Sequence, residues 1–265
     1  MASKTYNLSS PALFHPRGIS SELSLYAIDI PGSVLEIETP SYESFLSEQG
    51  ESLLQLALQN MENRKLKDAL TISERVLQED PLNTKANYII GFSIAMGASE
   101  DLDHGINCLD QVIKNDTRSY RAMHFLSYLL WQKYERDHEA KLIPRMKELC
   151  ASCIKLARIN EDRNTEYSAQ ANLAYYLTID EENPDIEGAL KLCEIVEQHF
   201  GTVATSRYAH FLDTWGLACM RHGELDRAEE YLKRAHQLDG TTEYPLLHLA
   251  EVVRLKKKKK AEEST

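Results

Sequence analysis

The feature of this sequence that most constrains its fold is a helical pattern that returns at a fixed interval. Small residues stand among the apolar positions of successive predicted helices. Gly91 follows Ala57 by 34 residues, and Ala250 follows Gly216 by the same distance. One helical hairpin cannot bury its apolar face alone, so a repeat of about 20–50 residues indicates hairpins stacked on one another. The sequence therefore predicts an all-α array of helical hairpins.

The clearest copy of the repeat is residues 212–240, LDTWGLACMRHGELDRAEEYLKRAHQLDG. Gly223 is expected to end one helix, and the acids that follow favour the start of the next. This copy has Trp215-Gly216 in its first predicted helix and Ala228, Leu232 and Ala235 in its second. In these residues the chain resembles the tetratricopeptide-repeat (TPR) family.

This resemblance implies a right-handed solenoid of about 5.5 helix–turn–helix repeats over residues 47–255. It leaves an N-terminal segment, 1–46, and a lysine-rich tail, 256–265. Ala174 follows Gly91 by 83 residues, which is 15 more than two ordinary steps of 34. We therefore expect one lengthened repeat, at residues 118–160.

Residues 1–46 differ in composition, since they hold four of the eight prolines. The stretches 23–30 and 33–38 flank Pro31-Gly32 and alternate partly between apolar and polar residues, so an extended or hairpin-like segment is expected. Two alternatives stay open: a tail packed loosely on the helices, or an autoinhibitory or dimerising arm in the protein's own groove.

The charge distribution limits the class of partner. Residues 1–253 hold 24 of the 30 basic and 39 of the 41 acidic residues, a formal charge of −15. Nucleic-acid binding depends largely on cationic contacts, so a nucleic acid is not expected as the main partner. The run Lys256–Lys260 either attracts an anionic partner or keeps an exposed helix end soluble.

No apolar run is long enough to span a membrane, and no secretory signal pattern stands at the start. The five cysteines are odd in number and lie within apolar helical patterns, which indicates reduced thiols and a cytoplasmic location. Cys150 and Cys153 could form a metal- or redox-sensing pair, but a structural zinc site needs four ligands. Buried packing thiols are the favoured interpretation, and neither a cofactor nor an active site is predicted.

The TPR resemblance implies that first helices line a concave groove that receives a peptide or a partner's helix. The register of the small residues predicts the groove residues: Tyr88, Phe92, Arg121, His124, Tyr128, Trp131, Asn172, Tyr175, His210, Asp213, Thr214, Leu217, Met220 and Tyr244. Several of them could instead close the solenoid core or pack against the N-terminal segment.

The expected function is a non-enzymatic scaffold or adaptor that binds a protein or peptide in this groove. An alternative is a secretion or assembly chaperone that shields a client protein. The subclass of TPR proteins that clamps a terminal carboxylate uses basic and asparagine residues, and Leu54, Leu58 and Ile89 stand at the corresponding places. An acidic C-terminal peptide is therefore not the expected ligand.

Overall fold

A computed structural model describes residues 12–14, 23–25, 46–200, 206–241 and 243–263. The chain forms two compact units, Met1–Ala122 and Met123–Thr265. Within the described residues, no helix is both long and apolar enough to cross a membrane.

The described residues of the first unit form two short strands and two helical hairpins. The strands β1 and β2 pair antiparallel, with Leu13 opposite Ser24. The predicted partner stretch, 33–38, and its Pro31-Gly32 turn lie outside the described residues. The elements are β1 (Ala12–Phe14), β2 (Leu23–Leu25), α1 (Glu48–Glu62), α2 (Leu66–Glu79), α3 (Thr84–Ala95) and α4 (Leu102–Asn115).

The described residues of the second unit form three helical hairpins followed by one more helix. Its elements are α5 (Tyr120–Asp137), α6 (Ile143–Ile159), α7 (Arg163–Ile179), α8 (Ile186–Phe200), α9 (Ser206–His222), α10 (Leu225–Leu238) and α11 (Tyr244–Glu263). The unit boundary falls within α5, near its start. Pro144 occupies the first turn of α6, where its missing N–H costs no helical hydrogen bond. The predicted lysine tail continues α11 as far as Glu263.

Short polar side chains begin several helices by accepting hydrogen bonds from backbone N–H groups. Asn83 accepts from Ala86 N at 3.0 Å, and Asp101 accepts from His104 N at 3.0 Å. Each bond satisfies an N–H that has no partner within its helix. The chain then reverses at residues with positive φ, among them Gly223 at 90°. Gly223 therefore ends α9, as the sequence predicts, because glycine adopts this conformation without a Cβ clash.

The two helices of a repeat approach closely at the small residue of the first helix. A Cβ built on Gly91 would lie 2.3 Å from Leu109 Cγ, and one on Gly216 would lie 2.5 Å from Leu232 Cγ. The matching residue of α11, Ala250, is exposed. Ala250 is not covered like Gly91 and Gly216, because the described residues hold no second helix after α11.

Buried carboxylates with basic partners join α6 to α7. Glu166 is 2% exposed and accepts from Arg158 Nε at 2.8 Å and from an Arg163 guanidinium nitrogen at 2.7 Å. Burial alone would raise the pKa of Glu166, but these hydrogen bonds outweigh burial and hold the pKa below its usual value. Lys147 forms a similar pair with Asp180.

We expect Gly216→Ala to lower the free energy of unfolding by about 1–3 kcal/mol, because Leu232 is fully buried and must shift to admit the methyl group. Gly240→Ala is the matched control, since its Cβ would meet no atom closer than 3.7 Å. Urea unfolding followed by circular dichroism measures both variants. An equal change in the two variants would contradict the proposed close contact.

A second prediction concerns how the free energy of unfolding depends on pH. A carboxyl whose pKa is lowered by folding stabilises the protein above its unfolded pKa of about 4.3, and this contribution disappears as the pH falls through the folded pKa. We therefore expect Glu166→Gln to be less stable than the wild type at pH 7, with a difference that shrinks towards pH 3. Urea unfolding at pH 7, 5, 4 and 3 measures this difference.

The control for the acid experiment is Glu230→Gln, because Glu230 is exposed on α10. A stability difference between Glu166→Gln and the wild type that stays constant from pH 7 to 3 would show that the Glu166 ion pairs do not contribute.

Candidate functional site

One face of α5 presents two aromatic side chains and a carboxylate in a row. Tyr128, Trp131 and Glu135 follow one another at spacings of three and four residues, so they share one helix face. The rings of Tyr128 and Trp131 are stacked, with centroids 5.3 Å apart. All three side chains are half-buried, so this face of α5 is partly open to solvent.

Two other first helices of the second unit bring tyrosines to this face. The ring of Tyr175, on α7, meets Trp131 edge-on at 6.4 Å. Its hydroxyl donates to Glu135 Oε1 at 3.2 Å, while the hydroxyl of Tyr244, on α11, donates to Oε2 at 3.1 Å. We call Tyr128, Trp131, Glu135, Tyr175 and Tyr244 the aromatic–carboxylate cluster.

The electrostatics of the cluster keep the phenols of Tyr175 and Tyr244 protonated. Burial, followed by the charge of Glu135, raises the pKa of Tyr175 and also that of Tyr244. The same two causes raise the pKa of the neighbouring Tyr134, which the charge of Arg221 partly offsets. The hydroxyls of Tyr175 and Tyr244 therefore remain hydrogen-bond donors to Glu135 at any physiological pH.

A second polar pair joins α9 to α11. His248 Nδ1 lies 2.8 Å from Asp213 Oδ1, and the two side chains are 22% and 11% exposed. Thr214, also on α9, donates to the carbonyl oxygen of His210 within its own helix at 3.2 Å. Asp213 therefore already has a partner, whereas His210 is exposed.

The predicted groove row on α9 is mostly buried. Leu217 and Met220 are 6% and 9% exposed, and Asp213 and Thr214 are both 8% exposed. Their burial has a simple cause, since α9 contacts α7, α8, α10 and α11. Their role in binding a partner remains a prediction.

Of the other predicted groove residues, Tyr88, Phe92 and Arg121 belong to the first unit. Tyr88 and Phe92 are half-buried, with stacked rings 6.3 Å apart. Arg121 is exposed, and its guanidinium lies 5.8 Å from the centre of the Tyr120 ring.

His124 and Asn172, in the second unit, are both half-buried. The imidazole of His124 packs against the edge of the Phe125 ring at 5.3 Å. Asn172 precedes Tyr175 by three residues and so shares its helix face.

Two residues at this site were missing from the sequence prediction. Glu135 follows Trp131 by four residues, and His248 follows Tyr244 by four, so each extends a predicted row by one helical turn. The spacing alone could have found both residues. Their partners on other helices could not be found in this way, because those contacts depend on how the repeats stack.

The alternative site at Cys150 and Cys153 lies in the core. Both thiols are fully buried, and Cys150 Sγ donates to Ser127 Oγ at 3.4 Å. Burial raises the pKa of Cys150 to about 12 and also raises the pKa of Cys153. Because the thiolate is the metal-binding and reactive form, burial opposes both chemistries. The described residues contain no group of three or more His, Cys, Asp or Glu side chains placed to hold a metal ion.

Neither a protein-family model nor a curated protein sequence matches the chain. Among solved structures, YrrB, described as a TPR protein with an unusual peptide-binding site, is 15% identical with a TM-score of 0.50; the match covers 73% of this chain and 88% of YrrB. TTC0263, described as a thermophilic TPR protein of Thermus thermophilus, is 14% identical with a TM-score of 0.50, over 77% and 98% of the two chains. The chain has the tetratricopeptide-repeat fold.

A third TPR-like match is PilF of Pseudomonas aeruginosa, at 12% identity and a TM-score of 0.55, over 82% of this chain and 88% of PilF. Identities this low establish the fold alone. In this fold, α5, α7, α9 and α11 are the first helices of their repeats, so the aromatic–carboxylate cluster consists of first-helix residues.

We expect Tyr244 and Glu135 to be energetically coupled, because their hydrogen bond joins α11 to α5. A double-mutant cycle of Tyr244→Phe and Glu135→Gln should give a coupling free energy of about 0.5–1 kcal/mol. This value is small for a hydrogen bond to a charged group, because Tyr244 is 45% exposed. Chemical unfolding of the four proteins measures it. A coupling of zero within error would show that the two side chains do not interact in solution.

Proposed function

We propose that the chain is a non-enzymatic interaction scaffold, and that its second unit binds a peptide or partner segment at the aromatic–carboxylate cluster. One observation carries this proposal: four half-buried or exposed aromatic rings and a carboxylate converge from three first helices. Tyrosine and tryptophan are over-represented among the residues that contribute most to binding energy at protein interfaces.

The fold supports a role in binding. YrrB, which has the same fold, is described as having a peptide-binding site. In this chain the corresponding kind of surface would use the rings of Trp131 and Tyr244 for apolar contact and Glu135 for hydrogen bonding. A helix or an extended segment could lie on such a surface, since both present side chains at regular spacing.

The chemistry of the core supports a scaffold over an enzyme. Cys150, Cys153 and Cys193 are fully buried, and burial raises the pKa of each thiol. Their burial suits packing between helices rather than attack on a substrate. A cytoplasmic location remains a prediction from the sequence.

The proposal is tested by comparing the partners that wild type and variants recover from a lysate. We expect Tyr128→Ala/Trp131→Ala and, separately, Tyr244→Ala to lower the recovery of at least one specific partner by about tenfold or more, measured by quantitative mass spectrometry. Tyr244→Ala is included because Tyr244 is 45% exposed, so its removal should change the fold least.

The matched control is Ile195→Ala/Leu238→Ala, which removes two exposed apolar side chains from the second helices α8 and α10. Thermal unfolding of each variant checks that folding is intact. If the wild type, Tyr244→Ala and the control recover the same partners in equal amounts, the cluster is not the binding surface.

A further inference from the structure

We infer that the aromatic–carboxylate cluster selects a basic partner segment and places a lysine or arginine side chain against Glu135. This inference rests on the proposed function and names the chemistry of the partner. It follows from the one charge in the cluster and from the groups that surround it.

Glu135 differs from the other enclosed carboxylates of the second unit. Glu166 is paired with two arginines, Asp180 with Lys147, and Asp213 with His248. Among the described residues, no lysine, arginine or histidine forms an ion pair with Glu135; the hydrogen bonds to its carboxylate come from two uncharged phenols. The negative charge is therefore held in place without being neutralised.

Glu135 also keeps room for a further donor. A carboxylate has about four lone-pair positions for hydrogen bonds, and Tyr175 and Tyr244 occupy two of them, one on each oxygen. An ammonium or guanidinium group could occupy the others without displacing either phenol. Such charge-assisted hydrogen bonds are stronger than neutral ones.

The rings around Glu135 favour the same ligand. Trp131 lies one helical turn before Glu135, and Tyr175 and Tyr244 hold its two oxygens, so a cation at the carboxylate also lies close to π surfaces. Tryptophan and tyrosine rings attract ammonium and guanidinium groups. The aliphatic stem of a lysine or arginine would add apolar contact with these rings.

Carboxylates near the cluster add to the negative charge of Glu135. The charges of Glu135 and Glu181 act on Tyr134, and those of Glu135 and Asp213 act on Tyr244. The charge of Arg221 opposes them at Tyr134, but among the described residues Arg221 forms no ion pair with Glu135. With a formal charge of −15 on residues 1–253, the chain would also attract a basic segment over a distance.

The first test is selection from a phage-displayed library of random nonapeptides on the full-length protein. We expect peptides selected by the wild type to be enriched in lysine and arginine, and this enrichment to disappear in Glu135→Gln. Glu230→Gln is the matched control, because it removes one exposed carboxylate from α10 and should keep the enrichment.

The second test measures the affinity of one selected peptide and of its copy with norleucine in place of the key lysine. The wild type should bind the lysine peptide about 5- to 20-fold more tightly than the norleucine peptide. Glu135→Gln should lose most of this preference and bind both peptides close to the affinity of the norleucine peptide, because only the attraction of the rings then favours lysine. The preference for lysine should also weaken as the salt concentration rises.

The two proposals fail in different ways. If the selected peptides are not basic, or if Glu135→Gln keeps the preference for lysine, the inference about charge is wrong. The binding surface itself still stands in that case when Tyr244→Ala weakens both peptides. If the wild type selects no peptide at all, this inference is overturned, and the comparison of recovered partners alone decides the proposed function.

Discussion

The close contact between the two helices of a repeat, seen at Gly91 and at Gly216, is the constraint on which the rest of the structure depends. Gly91 lies against Leu109, and Gly216 lies against Leu232, with no space for a Cβ at the observed separation. This contact fixes the distance between first and second helices, and stacked copies of the hairpin then set where first-helix side chains meet. The stacking of first helices in the second unit lets Glu135 reach the tyrosines of α7 and α11.

Most of the fold could be predicted from the sequence, because its signals are local. The 34-residue spacing, the helix end at Gly223 and the proline in the first turn of α6 each depend on a few neighbouring residues. The lengthened repeat was predictable from the 83-residue interval alone. The N-terminal strands were less accessible, because pairing of Ala12–Phe14 with Leu23–Leu25 depends on a choice among several weakly alternating stretches.

The candidate site was predictable in part. The helical register identified Tyr128, Trp131, Tyr175 and Tyr244, which the structure brings together. The register could not identify Glu135 as their shared acceptor, because that role depends on contacts between residues 40 and 109 positions apart. It also could not distinguish an open first-helix face from a covered one, since amphipathic spacing is the same in both cases.

The difference between α5 and α9 explains why recognition in this unit would fall on particular helices. All ten residues from 211 to 220 are buried, so most of α9 is used for packing on every side. In α5, Leu126, Leu129 and Leu130 face the core, while the face that carries Trp131 and Glu135 stays partly open. A first helix that stabilises the fold with one face can present the other to a partner, and α5 meets this condition. The enclosed helix α9 holds its neighbours in place, whereas the partly open helix α5 carries side chains that a partner could reach.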